Sequence, residues 1–370
     1  MSFKRYMEST VELAYDGFKK GKISRRDFVA LAAIAGLTPL VTKIPGADAA
    51  ANEIVFWNWG GDAVKCHTDA MGAPYQKDTG MGYRIDSSGP LQGKIKAMVE
   101  SGNVTADTGD LDAFDAISLG RQGLLEPIDY SIVDKDQVVP GFTWKYGVSI
   151  IFYGYAYLYD TEKFGDDPPT NWADFFDTKK YPGKRGLYKW ANGSIEGALL
   201  ADGVAKDKLY PLDLPRAWKK LRSIKDDALY WGSGAESQEW ITNGEVSMCM
   251  VWENRAKAIE ADTNGRYRLN MNEAIAMPGA YSIFKGAPAG AKAVNEFIRS
   301  CQIPERQVQL FLCHGQTPSN PLAWPLIPEE FRRFAITLPE NFNKVIPGNS
   351  EWWADHGSDA VNQFLDVISG

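Results

Sequence analysis

From residue 54 onward the chain alternates short β-prone apolar runs with stretches that repeat apolar positions every three to four residues, the signature of strands followed by amphipathic helices. Residues 54–59 form a strongly β-prone run stopped by Gly60-Gly61, a polar helix follows, and a second strand lies near 83–85. Leu91, Ile95, Met98 and Val99 mark one face of a helix over 90–101; 111–116 reads as a strand and 118–123 as a helix end. This βαβ order predicts a parallel α/β sheet. Residues 150–159 are a further strand, with Tyr153, Tyr155, Tyr157 and Tyr159 alternating onto one face. The pattern restarts at 171–176 with a helix, followed by a strand at 184–188 and helices over 194–203 and 216–225. A strand over 244–252 precedes a helix over 255–261, a strand-like run over 272–285, helices over 291–301 and 306–313, and a last helix near 359–368. Two successive α/β segments in 370 residues predict a two-lobed chain.

The first fifty residues stand apart. Ser24-Arg25-Arg26-Asp27-Phe28 leads into an apolar run ending at Val41, and Ala47-Asp48-Ala49 supplies a small-x-small cleavage site, which together read as a twin-arginine export signal over 1–49. The run is too short and too interrupted by Thr38 and Pro39 for a membrane-spanning helix, which needs about 20 apolar residues. With a net charge of −7 for the whole chain, no basic footprint for nucleic acid exists. Three isolated histidines and four scattered cysteines give no metal-ligand spacing, and no cofactor is expected. Cytoplasmic folding before export argues for free, buried thiols: Cys249 sits in an apolar run, and Cys301 and Cys313 end successive helices close enough to approach one another.

Residues 52–370 resemble the extracellular solute-binding proteins of ABC importers, in particular the spermidine/putrescine-binding type. The resemblance rests on motifs in order: Phe56-Trp57-Asn58-Trp59, Gly123-Leu124-Leu125-Glu126-Pro127-Ile128-Asp129, Asn171-Trp172-Ala173-Asp174-Phe175-Phe176, Asn243-Gly244-Glu245-Val246 with Val251-Trp252-Glu253-Asn254-Arg255-Ala256, Phe284-Lys285-Gly286-Ala287-Pro288, Gly315-Gln316-Thr317-Pro318-Ser319-Asn320, and Glu351-Trp352-Trp353-Ala354-Asp355. It implies an α/β, two-lobed periplasmic binding protein fold (type II) whose crossover strands form a hinge. One lobe is expected over 52–157 and 276–315, the other over 158–275 and 316–370. It also implies a periplasmic monomer that captures a small amine-bearing solute, with permease subunits in the inner membrane as partners.

In open α/β sheets ligands bind beyond the carboxyl ends of the strands. Trp59, Phe114, Trp252, Gln316 and Trp353 match cleft positions of the family, and Trp190 joins them as a further aromatic wall. Aromatic faces compensate an organic cation for lost hydration. Asp62, Asp115 and Glu253 are candidate ammonium partners, Arg255 a candidate carboxylate clamp, and Asn192 a polar wall residue. The chain departs from the polyamine pattern at two places: Lys189-Trp190-Ala191-Asn192-Gly193-Ser194 replaces an acidic pair, and Met277-Pro278-Gly279 replaces a Trp-x-Asp. A polyamine therefore competes with a zwitterionic amino acid derivative, a quaternary ammonium compound or a phosphonate as the expected ligand. A secreted hydrolase is the remaining class; no GxSxG, Walker or dinucleotide motif supports it.

Overall fold

The computed structural model describes residues 52–369, so the export signal expected over 1–49 lies outside the described residues. Residues from 51 onward form one compact unit. The elements that build the site are β1 (Glu53–Trp57), α1 (Asp62–His67), α2 (Ala73–Thr79), β2 (Gly82–Asp86), α3 (Gln92–Glu100), β3 (Thr108–Asp112), α4 (Ala113–Arg121) and β4 (Gly147–Asp160). They continue through α5 (Trp172–Phe176), β5 (Arg185–Tyr188), α6 (Ser194–Ala201), α7 (Leu214–Arg222), β6 (Ala228–Trp231), α8 (Gly234–Thr242) and β7 (Met248–Trp252). The chain closes with α9 (Ala256–Asp262), β8 (Tyr267–Phe284), α10 (Ala291–Cys301), α11 (Pro304–His314) and α12 (Ser350–Ser369).

These strands lie in the order β2-β1-β3-β8-β4-β7-β5-β6 within one sheet. The outer trios run parallel, β1 with β2 and β3, β5 with β6 and β7, as short strands separated by helices must. The middle pair is different: β4 and β8 are long and antiparallel to each other and to their outer neighbours. β4 is buried along nearly its whole length, which explains why its sequence is a continuous apolar run. Along β8, residues 279–283 pair with β3; along β4, residues 155–159 pair with β7. The long strands thus pass from one parallel half to the other around Tyr155 and Ile275, which are register partners.

Each half has its own apolar core. Ile54, Phe56, Tyr281 and Phe297 pack on one side of the first half, and Val55, Ile95, Leu111 and Phe284 on the other. In the second half Trp172, Leu187, Ile195 and Trp218 meet Phe364 of α12, while Trp231, Val251 and Ile259 fill the opposite side. Across the halves, Arg121 at the end of α4 forks between Glu351 and Asp355 of α12.

Three readings of the sequence are corrected. The strand expected over 111–116 ends at Asp112, and Phe114 and Asp115 lie on the first turn of α4; Asp112 takes the extended N-cap conformation there and stops the strand. The last helix starts at Ser350 and includes Trp353. The cysteines are not all free: Cys66 is bonded to Cys313 with Cα atoms 5.6 Å apart, while Cys249 and Cys301 are buried thiols. The fold packs α1 against α11 and so brings together two cysteines 247 residues apart, a proximity no local pattern encodes.

Candidate functional site

The carboxyl ends of β3, β5 and β7 and the crossing point of β4 meet around one row of aromatic rings. Tyr153 and Tyr155, on the same face of β4, have ring centroids 5.8 Å apart. Tyr155 stacks with Tyr188, the last residue of β5, at 5.9 Å, and Tyr188 meets Trp252, the last residue of β7, edge-on at 5.4 Å. Trp231 backs the row, stacked on Tyr188 at 4.4 Å with its indole N–H on the Met250 carbonyl. Gly193 passes so close behind Tyr155 that a Cβ there would lie 2.5 Å from the ring. Its positive φ of 74° adds a second reason for glycine.

One end of the row is acidic. The Tyr153 hydroxyl donates to Asp112 at 2.6 Å, and three residues on Asp115 accepts from the Gln92 amide at 2.5 Å. Neither carboxyl has a cationic partner among the described residues. Burial, with the charge of Asp110 beside it, pushes Asp112 up to about 7 despite the Tyr153 hydrogen bond. Burial and the Asp112 charge push Asp115 up to about 8. Two carboxyls in one enclosed place without a cation resist double ionisation.

The other end is basic. Arg255 lies with its guanidinium carbon 5.8 Å from the Trp252 ring centroid, and its Nε is buried without an acceptor. Among the described residues it makes no ion pair or hydrogen bond, whereas the buried Arg185 is bonded to main-chain carbonyls and Arg306 to Asp78. Burial lowers its pKa, partly offset by the charge of Asp62. Gly234 opens this slot, since a Cβ there would lie 2.1 Å from the Arg255 Nε.

Behind the acidic end runs a buried hydrogen-bond chain. Gln316 donates to Asp110 at 3.0 Å and faces His67 Nε2 at 2.8 Å, and His67 Nδ1 accepts from Tyr281 at 3.1 Å. With Nδ1 accepting, Nε2 carries the proton toward the Gln316 carbonyl. Burial holds His67 down to about 4, so the ring is neutral at physiological pH. The Cys66–Cys313 bridge flanks this chain, one residue before His67 and three before Gln316.

The remaining expected site residues fall into two groups. Trp59 and Trp190 are 50% and 43% exposed, and Trp59 is oriented by an indole hydrogen bond to the Asp110 carbonyl at 2.8 Å. Asp62 is exposed at the head of α1, and Asn192 is nearly buried in the turn before α6. Gln316 and Trp353 have their polar groups bonded to protein, whereas Glu253 has one carboxylate oxygen so bonded and the other buried without a partner among the described residues. Glu253 accepts the Gly154 N–H at 2.6 Å and ties the crossing strand to the end of β7; burial pushes it up to about 8. Trp353 is 2% exposed, with its indole N–H on Glu196 at 2.9 Å and its ring 6.3 Å from Phe114.

Asp112, Tyr153, Tyr155 and Tyr188 escape the sequence reading as cleft residues, although the alternating tyrosines are visible there. Two surface depressions of about 420 and 360 Å³ lie elsewhere, between α6 and α7 and beside Met271, and neither is lined by a residue of the row.

The sign of the acid shifts fixes a pH dependence. A carboxyl raised above its unfolded pKa of about 4 keeps a proton in the fold that the unfolded chain has lost, so its stabilising contribution declines as pH rises toward the folded pKa. The melting temperature of the ligand-free protein is expected to fall between pH 6 and pH 8, and Asp112→Asn with Asp115→Asn to flatten that slope. Scanning fluorimetry of both proteins checks it; an unchanged slope in the double variant contradicts the assignment.

The family model for bacterial extracellular solute-binding proteins matches residues 70–326. A gamma-aminobutyric acid-binding protein of Pseudomonas aeruginosa is 28% identical over 333 residues, 86% of this chain and 91% of its own length. The solved structure of a GABA receptor superposes with TM-score 0.78 at 34% identity, covering 85% of this chain and 97% of the other. A PBP of Agrobacterium tumefaciens R10 in complex with agropinic acid gives TM-score 0.76 at 30% identity, with 86% and 99% covered. A spermidine/putrescine substrate-binding protein of Streptococcus pneumoniae, at 17% identity and TM-score 0.69, shares the fold alone. With the matched family model, the two parallel halves and the long strands crossing between them, the chain belongs to the bacterial extracellular solute-binding proteins and has their mixed α/β periplasmic binding protein fold.

Proposed function

We propose that this protein is the periplasmic substrate-binding component of an ABC importer and that its ligand is a short ω-amino acid, γ-aminobutyric acid or a close derivative. The observation that carries the reading is the pairing of unlike ends on one aromatic row: Asp112 and Asp115 without a cation, and Arg255 without an anion. A zwitterion supplies both missing charges at once. Its ammonium pairs with the two aspartates, its methylene chain lies along Tyr155, Tyr188 and Trp252, and its carboxylate accepts the fork of Arg255. The relatives named for GABA support this choice over a polyamine. A polyamine would place a second ammonium beside the Arg255 guanidinium, a like-charge contact inside a partly dry site.

Capture follows from where these groups sit. Asp112 and Asp115 belong to the first half of the sheet and Trp252 and Arg255 to the second, joined by β4 and β8. A ligand touching both halves gains its full set of contacts only when they are closed, and so shifts the equilibrium toward the closed form that a permease recognises. The protein acts as a monomer and performs no chemistry on its cargo; binding and closure are its whole task.

The test is a thermal-shift panel of γ-aminobutyrate, other amino acids, putrescine, spermidine, quaternary ammonium compounds and phosphonates. A ligand at 100 times its Kd adds about 2.7 kcal/mol of stability. A shift with ω-amino acids and none with spermidine is the expected outcome; a shift with spermidine alone overturns the reading.

A further inference from the structure

A further carboxylate stands close to the aromatic row, and it is already saturated. Glu196, on the first turn of α6, is fully buried. One oxygen accepts the Gly193 N–H at 2.8 Å; the other accepts the Tyr210 hydroxyl at 2.7 Å and the Trp353 indole N–H at 2.9 Å. Gly193 is the residue pressed against Tyr155, so this carboxylate lies just behind the wall. Between it and the acidic end stand two rings, Trp353 of α12 and Phe114, the residue between Ala113 and Asp115 on α4. Three donors satisfy a carboxylate as fully as a bound ammonium would.

We infer that Glu196, Tyr210 and Trp353 form a specificity stop: the two side-chain donors occupy an acid that would otherwise take a second ammonium, and the Trp353 ring closes the cleft beyond the first. The inference rests on the proposed reading of the cleft as an amine site and adds to it a limit on ligand length. The site admits a ligand with one amine and rejects one whose chain continues past that amine to another cation. A second cation arriving there would be desolvated against Glu196 oxygens that are already taken, which is a stronger rejection than a missing apolar contact. Trp353 and Tyr210 act here as positioning and excluding residues.

The test compares two ligands by titration calorimetry, γ-aminobutyrate and N-(3-aminopropyl)-γ-aminobutyrate, which keeps the carboxylate and first amine and adds a second. The wild type is expected to prefer the shorter ligand by at least 100-fold. Trp353→Ala is expected to reduce that preference by tenfold or more through gained affinity for the longer ligand. Tyr210→Phe, which keeps the ring and removes only the hydroxyl donor, is expected to shift it a few-fold in the same direction, and it keeps the test alive should Trp353→Ala fail to fold. A preference unchanged in Tyr210→Phe and in folded Trp353→Ala overturns the stop while leaving the amine site standing. A wild type that binds neither ligand overturns both.

Discussion

Replacing Arg255 with alanine is expected to weaken binding of γ-aminobutyrate by about 10- to 100-fold while leaving the weak binding of propylamine, the same ligand without its carboxylate, nearly unchanged. The magnitude follows from losing hydrogen bonds to a charged acceptor, worth about 1.5–3 kcal/mol, where 1.4 kcal/mol is a factor of ten. It also follows from the surroundings of Arg255: it is partly desolvated and near the Trp252 ring, and among the described residues it is bonded to no acid. The cost of holding the guanidinium in place is met before the ligand arrives, so the carboxylate gains nearly the whole interaction. Gly234→Ala should act through the same group, since its Cβ would enter the space of the Arg255 side chain. Calorimetry on both variants with both ligands separates the cases; an equal loss for propylamine would show that Arg255 serves the fold instead of the carboxylate.

Removing the Cys66–Cys313 bridge is expected to give the largest change in stability, about 2–4 kcal/mol, because the loop it closes is long and the unfolded chain gains that freedom back. For a chain of this size the melting temperature should drop by about 3–6 °C. The bridge pins α1 to α11 next to His67 and Gln316, so its loss should also loosen the hydrogen-bond chain that supports Asp110. Cys66→Ser with Cys313→Ser, melted beside the wild type with and without reductant, checks this. Equal melting temperatures for oxidised and reduced wild type would contradict a structural role. A lasting disulfide accords with the periplasmic location proposed above, since disulfides persist there.

How far the sequence carries can be seen at particular residues. Trp252 is legible as the tryptophan that ends a strand run and Arg255 as a candidate carboxylate clamp just after it; in the structure the guanidinium carbon lies 5.8 Å from the Trp252 ring centroid. Asp112 was not legible. The local text of β3, Thr-Gly-Asp-Leu-Asp, contradicts the expectation that an interior parallel strand is apolar. Its polarity makes sense only once Gln316, 206 residues away, is seen bonding Asp110, and Tyr153 bonding Asp112. Glu196 had the same fate: its partners Tyr210 and Trp353 come from a later loop and the last helix. The segment holding β6 and α8 also went unread, because its short strand is only half-buried and its helix weakly amphipathic. Periodicity reports burial of one face, whereas these residues are set by long-range hydrogen bonds that leave no period.

A zwitterion held between an acid pair and an arginine would be visible in the crystal structure of the protein grown with γ-aminobutyrate. The carboxylate is expected within hydrogen-bonding distance of the Arg255 guanidinium and the ammonium between Asp112 and Asp115, with the methylenes against Tyr155 and Trp252. A ligand in the reverse orientation, or one seated away from this row, would contradict it.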